Sequence, residues 1–221
     1  MIQHVVWDWN GTLADDHTIV VGCVNDVCVQ FGLPQVDADG YRRLFTRPVK
    51  VFWERLAGRL LTDAEFAELD EGFHQAYGSR LAVVPLAADA SEALALVRDG
   101  GLSQSVLSMW RHNDLVGLVG ALGIAGFFVR VEGVRGPGGA VKAGQLAAHL
   151  DALTTEAGLT VRPGEVLVVG DTLDDAAAAQ AVGARCVLYD GGTHHLDTLK
   201  ASGLPVAGTL VDALHAGGLA G

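Results

Sequence analysis

The sequence predicts an α/β fold in which a parallel sheet carries an inserted helical segment. Short apolar runs rich in Val and Leu alternate with helical patterns, and these runs are continuous rather than alternating, which is typical of strands buried on both faces. Residues 15–85 differ, because they contain several helical patterns and few such runs. The chain of 221 residues is 50% hydrophobic and 19% charged, a composition that excludes disorder and suits one domain with an insertion.

Five runs are predicted to form strands: Val5-Val6-Trp7, Val106-Leu107, Phe127-Phe128-Val129, 166–169 and 186–189. Between the later runs, apolar residues recur at the helical spacing i, i+4, i+7 and i+11, namely Leu146, Leu150, Leu153 and Ala157. Strands that alternate with helices indicate a parallel sheet.

The inserted segment has its own helix signals. Thr62 and Glu65 have the spacing of a capping box, and four aromatic or apolar residues follow on one helical face, a pattern that predicts core packing: Phe66, Leu69, Phe73 and Tyr77. Pro85 ends the segment. We therefore divide the chain into a sheet domain, residues 1–14 and 86–221, and a helical cap, residues 15–85.

Charge and cysteine usage restrict the partners and the compartment. The formal net charge of −11 repels polyanions, and the basic residues form no long run, so neither nucleic acid nor an anionic membrane is an expected partner. Three cysteines without a paired spacing, and a start without a basic leader, predict a cytoplasmic protein. The uncharged run 115–129 is too short to cross a membrane.

Carboxylates follow two of the predicted strands. Asp8 ends the first strand in Asp8-Trp9-Asn10-Gly11-Thr12, and Asp171, Asp174 and Asp175 follow the strand at 166–169. Ligands of open α/β sheets bind at the carboxyl ends of the strands, and converging carboxylates need a cation, for which oxygen ligands favour Mg²⁺. Asp171 or Asp174 is also an expected helix N-cap.

These motifs resemble the haloacid dehalogenase superfamily, chiefly its phosphatases with a helical cap, over essentially the whole chain. The motif Asp-x-Asn-Gly-Thr at Asp8 resembles that of the family nucleophile, Ser108 matches its phosphate-binding Ser/Thr, Lys142 its lysine, and Asp171 and Asp175 its acidic motif. The resemblance implies a Rossmann-like core, Mg²⁺ as cofactor and a small phosphorylated metabolite as substrate.

The resemblance also implies roles for these residues. Asp8 attacks phosphorus and forms an aspartyl-phosphate, and the catalytic set further includes Asn10, Thr12, Ser108 and Lys142. The expected metal site consists of Asp8, the main-chain carbonyl of Asn10, Asp171 and Asp175, where Asp175 orients Lys142 or a metal-bound water. Gly11, Ser108 and Lys142 are expected to bind the phosphoryl group.

Asn10 departs from the family pattern, in which a phosphatase carries Asp as general acid and base. An amide exchanges no proton at neutral pH, and the loss of acid–base help costs about 10²–10⁴ in rate. Three functions stay open: a slow phosphomonoesterase, a non-catalytic phosphate or partner binder, and a phosphonatase-like hydrolase with Lys50 as its Schiff-base lysine. Asn10→Asp is expected to raise phosphatase activity.

The cap contains a basic stretch that is expected to attract an anionic substrate. Six basic residues fall within residues 41–59, opposed only by Glu54. Arg47, which precedes Pro48 at a predicted helix boundary, is the predicted substrate contact. Substrate identity and oligomeric state are left open by the sequence.

Overall fold

The apolar runs form one six-stranded sheet in the computed structural model, which describes residues 1–81, 84–135 and 141–219. The strands are β1 (His4–Trp7), β2 (Ser103–Arg111), β3 (Arg130–Val134), β4 (Val166–Gly170), β5 (Arg185–Tyr189) and β6 (Val206–Ala207). Their order is β3-β2-β1-β4-β5-β6, and every neighbouring pair is parallel. The predicted α/β class with a Rossmann-like parallel sheet is thus confirmed.

Ten helices connect or cover the described strands. They are α1 (His17–Phe31), α2 (Ala38–Leu44), α3 (Val49–Ala57), α4 (Asp63–Gly78), α5 (Ala90–Asp99), α6 (His112–Ala121), α7 (Lys142–Thr155), α8 (Leu173–Val182), α9 (Leu196–Ala201) and α10 (Leu210–Gly217). In the described residues, no helix has both the length and the apolar character needed to cross a membrane.

The sheet is buried on both faces, as the continuous apolar runs require. Along β1, Val5 and Trp7 belong to a core cluster with α5, α6 and α10, whereas Val6 belongs to a second cluster on the opposite face with α7, α8 and α9. β1 lies in the middle of the sheet, and the chain order of the strands reverses around it. Such a reversal creates the crevice in which ligands of this architecture bind.

Helices α1 to α4 follow β1 and have a core of their own. This third cluster includes Val24, Tyr41, Phe52, Trp53 and Leu69, and its residues come from all four helices. Thr62 and Glu65 form the predicted capping box at the start of α4. We keep the division at residues 15–85 as a proposal.

The helical segment leaves and rejoins the sheet domain at one place. Ala14 and Leu86 form an antiparallel bridge, and two backbone hydrogen bonds flank it, Asp15 N–H to Pro85 O and Ala87 N–H to Leu13 O, both 2.9 Å. Both chain crossings are therefore held together.

Two sequence predictions are corrected at the sheet edges. Phe127 ends a short 3-10 turn, Ala125–Phe127, and the strand starts only at Arg130. β3 is an edge strand with polar residues in its sequence, so it lacks the continuous apolar run of a central strand. β6, at the other edge, was missed because two residues give no periodicity.

The predicted helix at 146–157 is α7, but its buried face differs from the predicted one. Its buried residues are Lys142, Leu146, His149 and Leu153, whereas Leu150 is only half-buried and Ala157 lies beyond the helix end. The helix therefore places one basic side chain and one histidine against the sheet domain.

Candidate active site

The carboxylates that follow β1 and β4 lie side by side. Trp7 pairs with Val169 in the sheet, and the Asp8 N–H donates to the Val169 carbonyl at 2.9 Å, which places Asp8 next to the residues that follow β4. Asp8, Asp171 and Asp175 are all buried, and one oxygen of each lies within 4.8 Å of the others. The structure thus brings together the three acids of the predicted metal site.

Lys142, the first residue of α7, joins two of these acids. Its Nζ donates to Asp8 Oδ1 at 2.5 Å and lies 2.5 Å from Asp175 Oδ1. Lys142 is 8% exposed, so its ammonium group is nearly as buried as its partners. When all three carboxylates are ionised, the single ammonium leaves this cluster with two negative charges.

The pKa values of the cluster reflect burial and this uneven pairing. Burial raises the pKa of Asp8 to about 6, against the lowering effect of the Lys142 ammonium. Burial, together with the charges of Asp8 and Asp175, raises the pKa of Asp171 well above its ordinary value. Burial opposes ionisation of Asp175 too, but Lys142 and the Thr172 donors outweigh it and lower the pKa of Asp175.

Threonines hold the two acids that follow β4. Thr172, not Asp171 or Asp174, is the N-cap of α8, so the predicted aspartate caps are wrong. Asp175 Oδ2 accepts from the Thr172 N–H at 3.0 Å and from the Thr172 hydroxyl at 2.6 Å. Asp171 Oδ1 accepts from the Thr12 hydroxyl at 3.1 Å, which gives Thr12 a structural link to the cluster. The other oxygen of Asp175 lies 2.5 Å from Lys142 Nζ, and the other oxygen of Asp171 accepts from the Thr193 N–H at 2.5 Å.

Two glycines allow the backbone to approach Asp171. Gly11 has a φ of 71°, and a Cβ there would lie 2.5 Å from Asp171 Oδ2. At Gly192 a Cβ would lie 2.3 Å from the same oxygen and 2.3 Å from the Gly11 carbonyl oxygen. Any side chain at either position would collide with the acid, so the carboxylate position depends on both glycines.

Ser108 lies within β2, three residues before the strand ends, and it is 2% exposed. Its hydroxyl lies 3.5 Å from Asn10 Oδ1 and accepts from the Trp110 N–H at 3.1 Å. Ser108 therefore reaches position 10 from the strand beside β1.

Asn10 has two partners that the sequence did not indicate as site residues. Its Nδ2 donates to Asp16 Oδ2 at 2.6 Å and to the Tyr77 hydroxyl at 2.8 Å. The Tyr77 hydroxyl donates to the same Asp16 oxygen at 2.5 Å, and the Gly11 N–H donates to Asp16 Oδ1 at 2.8 Å. Tyr77 is buried as predicted, but its place in the apolar pattern predicted only that its ring is buried and not that its hydroxyl contacts Asn10.

Arg47 lies between the helical segment and the sheet domain. Its Nε is 2.9 Å from Asp174 Oδ2, next in sequence to the buried Asp175. Arg42 Nη2 donates to the Gly191 carbonyl at 3.0 Å, beside Gly192. Two of the six basic residues of 41–59 thus contact segments that follow β4 and β5, namely the first turn of α8 and the loop at Gly191.

Lys50 is placed differently. Its Nζ lies 2.6 Å from Asp63 Oδ1, at the start of α4, so its ionic partner belongs to the helical segment itself. Arg43 likewise pairs with Asp39 of its own helix α2, and Arg59 pairs with Glu65 of α4. Much of the basic stretch is therefore neutralised locally.

Comparisons with known proteins agree with this geometry. A family model described as haloacid dehalogenase-like hydrolase matches residues 2–183. The chain is similar to phosphoglycolate phosphatase 1 of Pseudomonas aeruginosa, with 23% identity over 196 residues that cover 86% of this chain and 70% of that protein.

Solved structures show that this fold occurs with different activities. A predicted phosphoglycolate phosphatase from Haemophilus somnus 129pt has a TM-score of 0.76, 21% identity and 97% coverage of both chains. Protein Tyrosine Kinase A of Mycobacterium tuberculosis has a TM-score of 0.81, 22% identity and 99% coverage of both chains. The shared fold therefore leaves the reaction to be argued from the site.

Proposed function

Because this chain belongs to the haloacid dehalogenase-like hydrolase family, we propose that it is a Mg²⁺-dependent phosphomonoester hydrolase acting on a small phosphorylated metabolite. The observation that carries the proposal is the contact of Lys142 with both Asp8 and Asp175 beside Asp171. It combines a nucleophile, a cation for a phosphoryl oxygen and acids for a metal ion in one buried cluster.

The donor set fits a divalent cation. Ionising all three acids leaves two uncompensated negative charges, which are costly when buried, and carboxylate oxygens are the ligands that Mg²⁺ prefers. Asp8, Asp171, Asp175 and the main-chain carbonyl of Asn10 are the residues that would hold it. When bound, the ion would offset the repulsion between the Asp8 carboxylate and an anionic phosphoryl group.

The reaction proceeds in two displacements on Asp8. An Asp8 carboxylate oxygen forms a bond to phosphorus while the bond to the ester oxygen breaks, and the alcohol or phenol leaves with its electron pair and takes a proton from solvent. Water then attacks the aspartyl-phosphate, which releases phosphate and restores the carboxylate. Lys142 and the Ser108 hydroxyl hold the phosphoryl oxygens, and Thr12 orients Asp171. The Gly11 N–H, which the sequence predicted to bind the phosphoryl group, donates to Asp16 Oδ1 at 2.8 Å instead.

The helical cap places a basic residue where it could bind an anionic substrate. Arg47 lies next to the acidic cluster through its pair with Asp174, and we propose that it binds the second polar end of the substrate. The pair of Lys50 with Asp63 does not favour Lys50 as a Schiff-base residue. Asn10 favours the second candidate function, a protein that binds phosphate without turnover.

Turnover of p-nitrophenyl phosphate and of a panel of metabolite phosphates, with Mg²⁺ or with a chelator, tests the proposal. We expect slow, Mg²⁺-dependent release of phosphate that falls by at least about 10³-fold in Asp8→Asn, because that amide is a poor nucleophile. Acid quenching followed by mass spectrometry is expected to find phosphate on Asp8.

The same panel separates the two candidate functions. An absence of turnover with every substrate, combined with phosphate binding by calorimetry that Lys142→Met abolishes, would replace the enzyme with the binder. Turnover that Asp8→Asn leaves unchanged would rule out Asp8 as nucleophile.

A further inference from the structure

The amide of Asn10 is held in one orientation by a closed set of hydrogen bonds. Both Nδ2 hydrogens are used, one by Asp16 Oδ2 and one by the Tyr77 hydroxyl, at 2.6 and 2.8 Å. The Tyr77 hydroxyl accepts from Asn10 and donates to Asp16 at 2.5 Å, so each polar atom of the set has a partner of the right kind.

This orientation decides what position 10 presents to the phosphoryl site. With Nδ2 turned toward Asp16 and Tyr77, Asn10 Oδ1 lies on the side of Ser108, 3.5 Å from its hydroxyl. A carbonyl oxygen accepts hydrogen bonds and donates none. Position 10 therefore orients a donor, such as water, and supplies no proton to a leaving group.

The network is buried and contains one carboxylate without a cationic partner. Asp16 and Tyr77 are each 1% exposed, and in the described residues no Lys, Arg or His forms an ion pair with Asp16. Three donors instead satisfy Asp16: Asn10 Nδ2, the Tyr77 hydroxyl and the Gly11 N–H. A second carboxylate at position 10 would place two anionic oxygens about 2.6 Å apart, where like charges repel strongly.

We propose that Asp16 and Tyr77 are positioning residues that fix Asn10 as an acceptor, and that positions 10 and 16 form a reciprocal amide–carboxylate pair. This inference rests on the proposed phosphatase function and adds its substrate class. Without a proton donor at position 10, the protein acts on phosphoryl compounds whose leaving group departs as a stable anion, such as acyl and aryl phosphates, in preference to alkyl phosphates.

The reciprocal pair predicts different effects for the single and the double variants at positions 10 and 16. Asn10→Asp alone sets a carboxylate against Asp16, which strains the network and displaces the new side chain. The gain in phosphatase activity that the sequence predicts for Asn10→Asp is therefore expected only when Asp16 is changed with it. The double variant Asn10→Asp/Asp16→Asn keeps the charge and the number of donors, with the amide now donating to the carboxyl group at position 10. Only this exchange restores an acid that faces Ser108 and the leaving group.

The test compares kcat/KM for acetyl phosphate, p-nitrophenyl phosphate, phenyl phosphate and ethyl phosphate as a function of leaving-group pKa. We expect kcat/KM to fall steeply with increasing leaving-group pKa in the wild-type protein and only slightly in the double variant. The kcat/KM for ethyl phosphate should rise about 10²-fold or more in the double variant. Tyr77→Phe is expected to lower kcat for p-nitrophenyl phosphate with little change in KM, whereas Tyr41→Phe, another buried tyrosine of the helical segment, serves as the matched control and leaves kcat unchanged.

Thermal unfolding supplies a second readout that needs no turnover. Each single variant is expected to lower Tm and the double variant to recover most of the loss, because the exchange removes the repulsion. Full gain of ethyl phosphate activity in Asn10→Asp alone, or additive losses of Tm in the double variant, would overturn the reciprocal pair. A wild-type protein that turns over none of the probes would refute the proposed function. The Tm values of the single and double variants would still show whether positions 10 and 16 form the reciprocal pair.

Discussion

Asp171 differs from the other two acids of the cluster in having no ion pair with a described Lys or Arg residue. Lys142 binds Asp8 and Asp175, and Asp171 is held by the neutral donors Thr12 and Thr193, the latter through its N–H at 2.5 Å. A buried carboxylate without a cation destabilises the fold. The free energy of unfolding should therefore depend on the metal ion.

We expect Mg²⁺ to raise Tm in a concentration-dependent manner, by the equivalent of about 2.7 kcal/mol when the ion is at 100 times its Kd. Asp171→Asn should abolish most of this increase, because it removes a ligand and the unpaired charge together. Asp174→Asn, three residues further along in the first turn of α8 and partly exposed, is the matched control. Equal Mg²⁺ responses in Asp171→Asn and the wild-type protein would exclude Asp171 as a ligand.

Among the site residues, the sequence predicted those that directly follow a strand of the parallel sheet. Asp8 and Asp171 follow neighbouring parallel strands, so their proximity is a property of the sheet. The contact of Asn10 with Asp16 and Tyr77 was not predictable from the sequence. It depends on the tight turn that follows Asn10 and on the hydroxyl of Tyr77, whose aromatic ring already accounted for its place in the apolar pattern of α4. The sequence feature that could have indicated this contact is an Asp at position 16, six residues after the Asn at position 10.

Among the elements, α7 links the site to the opposite part of the sheet. Two turns after Lys142, His149 Nε2 lies 2.7 Å from the Ser105 hydroxyl of β2, which is also 2.8 Å from His4 Nε2 of β1. Both histidines are almost fully buried. Burial lowers the pKa of His4 to about 4 and, with the nearby His4 and Arg130, that of His149 to about 3.

These histidines predict that the protein loses stability in mild acid. The unfolded chain binds protons near the ordinary pKa of 6.5, while the folded state keeps both rings neutral, so the free energy of unfolding decreases as pH falls from about 6.5 toward 4. The slope approaches about 1.4 kcal/mol per pH unit for each histidine. Urea unfolding between pH 7 and 5 measures it.

His149→Gln should flatten this dependence by about one histidine's share, because glutamine keeps a donor for Ser105 and carries no titratable group. His215→Gln, at an exposed position of α10, is the control and should leave the slope unchanged. A slope that His149→Gln does not alter would contradict the assignment. The apolar spacing predicted α7 but not this histidine, since a buried polar residue interrupts the pattern on which the prediction depends.

At the scale of the whole molecule, the helical segment and the sheet domain meet beside the acidic cluster. Arg47–Asp174 and Arg42–Gly191 cross the boundary, and Phe45 packs against His194 with ring centroids 5.7 Å apart. The Arg47–Asp174 pair is partly exposed, with side chains 41% and 37% accessible, so it contributes at most about 1 kcal/mol to stability. Arg47 can therefore exchange this partner for an anionic substrate at little cost.

We expect Arg47→Ala to raise KM about 10-fold with kcat nearly unchanged and with Tm close to that of the wild-type protein, because the contact that we propose for Arg47 is with the bound substrate and not with the reacting atoms. Asp174→Asn frees Arg47 and should lower KM or leave it unchanged. Steady-state kinetics on the best panel substrate measure both. An increase of KM in Asp174→Asn equal to that in Arg47→Ala would indicate that the pair itself shapes the site.

The bridge between Ala14 and Leu86 brings both chain crossings of the helical segment to one place, where the segment could be exchanged as a unit. Asp16 and Tyr77, however, belong to that segment and hold Asn10 in the sheet domain. A foreign segment grafted at this attachment would arrive without a partner for Asn10. A transplant that keeps the orientation of Asn10 must therefore carry residues 10, 16 and 77 as one set.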